Sequence, residues 1–145
     1  MDFEELYLTA SKLVCPRRLS STVKVGMVSC ALETVYGNVY TGICAEISCS
    51  LGFCAEQAAI SQMISAGEND IKKLVTVYRN GEIIPPCGKC RELIFHVSYN
   101  SLDNLQIMIE KNRIVLFNDI APLAWYSIIQ EIREENMKLM GSDYV

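Results

Sequence analysis

Two short clusters in this chain hold residue types that do chemistry: Cys54-Ala55-Glu56 and, further along, Pro86-Cys87-Gly88-Lys89-Cys90. Together they offer three thiols and one carboxylate. Two C-x-x-C pairs would supply four sulfurs and close a tetrahedral structural zinc site, whereas three protein ligands leave the fourth position to water. Only Cys87 and Cys90 form such a pair at this point of the chain. A third ligand therefore comes from elsewhere, and Cys54 brings Glu56 with it. Zinc lowers the pKa of a bound water toward roughly 7, and a carboxylate beside it can carry protons between that water and a substrate. The pattern thus outlines a catalytic zinc site. An isolated C-x-x-C is more commonly a redox pair or half of a structural zinc site; the proline before it and the distant C-A-E shift the reading toward catalysis.

The elements that must position these clusters alternate along the chain. Residues 3–14 read as an opening helix, Leu6 and Leu13 facing the core, stopped by Cys15-Pro16. Residues 23–33 and 39–43 are β-rich runs around a hairpin turn at Tyr36-Gly37-Asn38. Residues 54–66 form a helix, with Ala55, Ala58, Ala59, Met63 and Ile64 at helical spacing and Gly67 as its stop. A short buried strand follows at 74–78, a loop from Asn80-Gly81 to Pro85-Pro86, and a helix over 88–97. Strands at 106–109 and 114–117 precede a last amphipathic helix from about residue 123 to 140. This order predicts an α/β layered domain with a mixed sheet. Both clusters fall at a helix start, where unpaired backbone N–H groups and the positive end of the dipole favour thiolate over thiol.

Composition bounds the classes of function. A chain of 145 residues with 50% apolar residues is read as one domain, residues 1–145, able to bury a core without staples. Its seven cysteines are not dense enough for a disulfide scaffold, and Met1-Asp2-Phe3-Glu4-Glu5 is acidic where a signal peptide needs a basic segment. A reduced, cytoplasmic protein is expected, with Cys15, Cys30, Cys44 and Cys49 as small buried hydrophobes. No apolar run is long enough for a bilayer, so no membrane partner is expected. A net charge of −4 argues against nucleic acid as partner, although Lys12, Arg17, Arg18 and Lys24 form a local basic patch. A small-molecule substrate is favoured. His96, the only histidine, sits inside a helix and reads as a partner of local polar groups.

At Cys54-Ala55-Glu56 and Pro86-Cys87-Gly88-Lys89-Cys90-Arg91 the chain resembles the cytidine deaminase superfamily, in the three-cysteine form of its [HC]-x-E … P-C-x-x-C signature. The resemblance implies a three-layer α/β/α fold with a mixed five-stranded sheet and zinc as cofactor. It makes Cys54, Cys87 and Cys90 the ligands and Glu56 the catalytic acid and base. It also implies hydrolytic deamination of a small cytosine nucleoside, cytidine or deoxycytidine, to the uracil product and ammonia. Homo-oligomerisation, as a tetramer, is implied in the same way.

The departures bear on substrate recognition. Free-nucleoside deaminases carry G-x-N-x-E, whose asparagine and glutamate bind ribose; here the stretch is Gly42-Ile43-Cys44-Ala45-Glu46, with Glu46 kept and Cys44 in the asparagine's place. A thiol is a poor substitute for an amide that must donate and accept. The connection to Cys54 is one residue shorter than usual, and still shorter in blasticidin S deaminase, so this chain lies between the two patterns. Gln57 stands where three-cysteine relatives often have an arginine that offsets the additional thiolate; Arg91 is the candidate for balancing zinc-site charge. Glu92 stands where the family often has glutamine. Asp119-Ile120-Ala121-Pro122-Leu123-Ala124-Trp125 resembles a family segment whose aromatic residue reaches a neighbouring subunit's site, which makes Trp125 a substrate-binding candidate with Cys44 and Glu46. The apolar stripe beyond it, Ile128, Ile129, Ile132, Met137 and Leu139, would pack on its own domain or cover a subunit interface. The alternatives to a cytidine deaminase are a blasticidin-S-deaminase-like enzyme for a modified cytosine nucleoside, and a non-catalytic zinc-stabilised nucleoside-binding protein.

Overall fold

Strand β2 (Lys24–Thr34) lies at the centre of the molecule, because it has partners along both edges. The computed structural model describes residues 1–126. On one edge, β3 (Val39–Glu46) pairs antiparallel with β2 across the turn at Gly37, whose φ of 86° is open to glycine at no steric cost. On the other, β2 pairs with β4 (Ile71–Tyr78) and, toward its start, with the two-residue strand β1 (Arg17–Arg18). β4 then pairs parallel with β5 (Gln106–Glu110), and β5 antiparallel with β6 (Arg113–Leu116). The sheet is mixed, as expected, with six strands rather than five. The additional strand is β1, too short and too charged to read as one from its sequence.

Alternation along the strands gives each sheet face its own core. Cys30 and Leu32 of β2, Leu74 of β4 and Ile107 of β5 pack with Ala55, Ala59, Ile60 and Met63 of α2 (Ala55–Ser65) and Ile94 of α3 (Gly88–Val97). The intervening Ala31, Val75, Val77 and Met108 pack with Phe3, Leu6 and Ala10 of α1 (Phe3–Ser11) on the opposite face. Helices on both faces of a sheet require this pattern of strands buried on both sides. Asp2 caps α1 by accepting the Glu5 N–H at 2.8 Å. The helix ends at Ser11, so Leu13 lies past it and is 36% exposed instead of core. Ile64 of α2 also faces outward.

A close approach fixes the site-bearing helix, and an ion-pair cluster ties the central strands to the start of the chain. A Cβ on Gly42 of β3 would sit 2.4 Å from the Ala59 nitrogen and 2.5 Å from the Ala55 oxygen, so α2 rests directly on the strand backbone. Glu33 of β2 is buried opposite Lys73 of β4, its carboxylate 3.4 Å from the ammonium and 3.2 Å from the Met1 amino group. A four-residue helix, α4 (Phe117–Ile120), follows β6. The helix expected over 123–140, with its apolar stripe, lies for the most part outside the described residues. Among the described residues no helix is long and apolar enough to cross a membrane.

Candidate functional site

The chain brings its three chemistry-bearing cysteines to two neighbouring helix starts. Cys54 is the N-cap of α2 and Cys87 the N-cap of α3, while Cys90 sits in the first turn of α3 and is fully buried. The three sulfurs lie within 4.8 Å of one another, and Cys54 Sγ and Cys87 Sγ are 3.8 Å apart. A tetrahedral zinc with ~2.3 Å Zn–S bonds sets its sulfurs about 3.8 Å apart. The donor set therefore fits a zinc ion in both element and spacing.

The ends of the two helices are organised for this by local chemistry. Gln57 Oε1 accepts the Cys54 N–H at 3.1 Å, the reciprocal half of a capping box. That engagement gives Gln57 a definite structural task. Arg91 is likewise committed to backbone: its Nε donates to the Pro86 carbonyl at 2.9 Å and its Nη1 to the Ile120 carbonyl at 3.0 Å. The guanidinium thereby braces the approach to Cys87 while placing a fixed positive charge one residue from Cys90.

Glu56 follows Cys54 by two residues on α2 and is only 4% exposed. Burial pushes its carboxyl up, and its own backbone N–H, the Cys90 thiol and the Thr76 hydroxyl offset only part of this. Burial together with the Glu56 charge pushes Cys90 and the neighbouring Cys30 up as well, and burial raises Cys54. Cys87 alone goes the other way: against its partial burial, the Cys90 N–H and the two neighbouring thiols hold it below the usual thiol range. Acidic groups packed so that their anions disfavour each other are stabilised in ionised form by a divalent cation among them.

A cavity of about 390 Å³ opens beside this cluster. Val28, Phe53, Ile84 and Pro85 give it apolar walls, Glu56, Cys54 and Cys87 are part of its lining, and Cys44, Glu46, Gln57 and Lys89 supply its remaining polar groups. Phe53 is held in the wall by paired backbone hydrogen bonds to Ala45, at 3.0 and 3.1 Å. Cys44 is buried, and its sulfur accepts the Val28 N–H at 3.3 Å next to the irregularity in the β2–β3 pairing. Glu46 ends β3 with its side chain exposed. A larger cavity, about 450 Å³, lies on the α1 face among Glu4, Tyr7, Ile83 and Lys111 and shares no residue with the cysteine cluster.

The remaining candidates separate. Trp125 does not line the cavity and is 63% exposed; its N–H donates to Glu92 at 3.1 Å, and the Tyr126 N–H to the same carboxylate at 3.0 Å. Glu92, which the motif alone left without a role, ties the Trp125 segment to α3. His96 stands 3.7 Å from Glu92 and stacks near Tyr126, a local partner as expected. Cys30 and Cys44 are buried, but Cys15 and Cys49 are exposed, Cys49 in a left-handed turn with φ of 60°. The Gln57 cap was legible from the C-x-x-Q spacing. The Glu92 contacts had no sequence signal, because their partners lie 33 and 34 residues away.

No family model matches the chain. Over 59 residues it is 36% identical to the cytidine deaminase of Mycobacterium tuberculosis, a match covering 40% of this chain and 44% of that protein. The sequence match thus spans under half the length of that curated relative. Its structure is similar over a wider range: the crystal structure of the Mycobacterium tuberculosis cytidine deaminase superposes with a TM-score of 0.70 at 25% identity, over 86% of this chain and 98% of the other. The cytidine deaminases of Mycobacterium leprae, at 24% identity and a TM-score of 0.70, and of Bacillus anthracis, at 17% and 0.66, share the fold.

Proposed function

From the premise that this chain has the cytidine deaminase fold, with a Cys54, Cys87 and Cys90 cluster that fits the three-cysteine zinc type, we propose that it is a zinc-dependent aminohydrolase. It converts a cytosine nucleoside to the uracil product and ammonia. The observation that carries this is the buried Glu56 carboxylate beside three convergent sulfurs, with Glu56, Cys54 and Cys87 lining a cavity with apolar walls. A carboxylate that binds no metal, placed beside a metal-binding cluster, has no structural task, whereas deamination needs a proton carrier at that spot.

Cys54, Cys87 and Cys90 would hold the zinc, which supplies the Lewis acidity that lets water be deprotonated near neutral pH. Glu56 takes the proton from water as the C4–O bond forms and delivers it to ring N3. It then passes the second proton to the departing amine as the C4–N bond breaks. Burial raises the affinity of Glu56 for a proton, which suits a group that must hold one between these steps. Val28, Phe53, Ile84 and Pro85 would exclude water around a planar base. Arg91 balances the excess negative charge of three thiolates through its fixed position beside Cys90.

Sugar recognition would rest on Glu46, because the Cys44 sulfur already accepts the Val28 N–H. Trp125, exposed and away from its own cavity, would close the site of a neighbouring copy in a homo-oligomer, with the tetramer of the family resemblance as the expected size. Three thiols kept free for metal suit a reducing compartment, the cytoplasm.

Ammonia release by zinc-loaded protein with cytidine, deoxycytidine, cytosine and blasticidin S, with Glu56→Ala as control, tests the reading. Turnover of a cytosine nucleoside that needs Glu56 supports it. Turnover of blasticidin S alone moves the protein to that branch, as the altered Cys44 position allows. Zinc bound without any turnover leaves a nucleoside-binding protein.

A further inference from the structure

A second pocket shares Glu46 with the cavity beside the cysteine cluster. A shallow groove of about 320 Å³ is lined by Arg18, Ser21, Thr22, Lys24, Ser48 and Glu46, so Glu46 is a wall of both. The sheet builds this arrangement. Arg18 of β1 stands opposite Lys24 of β2, and Lys24 stands opposite Glu46 of β3. Directly paired residues on adjacent strands project to the same face, so three side chains form one row leading away from the cavity. Arg17, one residue before Arg18, points to the other face and donates to the Cys15 carbonyl.

The two cations in this row are uncommitted. Among the described residues neither Arg18 nor Lys24 lies within ion-pair distance of a carboxylate, Glu46 included. One guanidinium nitrogen of Arg18 donates to the Ser21 carbonyl at 3.2 Å, which fixes the group over the turn and leaves its other donors free. A guanidinium, an ammonium and the hydroxyls of Ser21, Ser48 and Thr22, the last 3.3 Å from Ser20 Oγ, line one groove and present donors suited to a tetrahedral oxyanion. In a chain of net charge −4, this is a local reversal of sign.

We propose that the substrate is a cytosine nucleotide, its base at Glu56, its sugar against Glu46 and its phosphate on Arg18 and Lys24 with the hydroxyls of Ser21, Thr22 and Ser48. This rests on the deaminase reading above. Two cations around one groove match a single phosphate; a polynucleotide would need basic residues tracking along several phosphates.

The test uses the zinc-loaded full chain. Initial rates are measured with cytidine, deoxycytidine and their 5′- and 3′-monophosphates. Equilibrium binding is measured in parallel for uridine, its two monophosphates, inorganic phosphate and a single-stranded oligocytidylate. One monophosphate is expected to bind about tenfold or more tighter than the nucleoside. That margin should shrink with added salt and be erased in Arg18→Ala/Lys24→Ala, which changes nucleoside turnover less than about twofold and keeps its melting temperature. Arg18→Lys/Lys24→Arg should retain most of the margin. Tighter nucleotide binding without turnover of any compound would leave the phosphate site at Arg18 and Lys24 standing and overturn the deaminase reading, the nucleotide then being a ligand and not a substrate. Equal handling of nucleoside and nucleotide, or tighter binding of the oligonucleotide than of the mononucleotide, would overturn the inference.

Discussion

Glu56 is the residue on which chemistry and stability meet. If it is the proton carrier proposed above and ligates nothing, its replacement by alanine should lower kcat by ~10²–10⁴-fold with bound zinc unchanged, checked by rates and metal content on the same preparation. Loss of zinc in that variant would make Glu56 part of the metal site instead. Its buried carboxyl also predicts a pH effect on the metal-free, reduced protein. Burial raises its pKa in the folded state, so the native chain holds a proton that the unfolded chain has released. Stability from this group is then present below the ordinary carboxylate value of 4.5 and declines as pH rises above it. Glu56→Gln, which carries no charge to bury, should melt higher than the parent at pH 7, with the difference closing by pH 4.

At the level of elements, the site depends on where α2 and the Trp125 segment are held. α2 lies on β3 at Gly42, where no side chain fits between helix and strand. Gly42→Ala should cost about 1–3 kcal/mol and lower zinc affinity by shifting Cys54 away from Cys87, read as a melting shift together with metal retention. Glu92 accepts two N–H groups from the Trp125 segment; Glu92→Ala should cost roughly 1 kcal/mol, as loss of a cap does, and raise KM more than it lowers kcat. The β2–β4 pair carries Glu33 opposite Lys73. Despite its burial, the Met1 amino group and Lys73 together hold the Glu33 carboxyl below the usual range. Its contribution is therefore present above the ordinary 4.5 and lost as pH falls through the lowered value. Glu33→Gln should destabilise at pH 7 and flatten the acid limb of a denaturation profile.

At the scale of the whole molecule, Trp125 and Glu56 belong to different copies of the chain in the proposed assembly. Glu56→Ala and Trp125→Ala proteins, each impaired alone, should regain activity when dissociated and reassembled together, since hybrid assemblies contain sites with both native residues. No gain over the sum of the two would place Trp125 outside any site. The sequence by itself determined which residues could do the proposed chemistry, because Cys54, Glu56, Cys87 and Cys90 lie in short segments whose spacing marks them as a candidate set at two helix starts. It also determined the alternation of strands and helices, since buried faces repeat with the period of each element. Only the tertiary structure decided what depends on chain segments far apart. It closed three sulfurs to within 4.8 Å, exposed Cys15 and Cys49, gave Glu92 its partners, and turned Leu13 and Ile64 outward. Burial of a cysteine or a leucine is set by what packs against it, which composition does not record. The row Arg18, Lys24 and Glu46 was least legible of all: it depends on the register of β1 and β3 against β2, and that register shifts between Val25 and Ser29. A slip of one residue would have put those charges on the opposite face of the sheet.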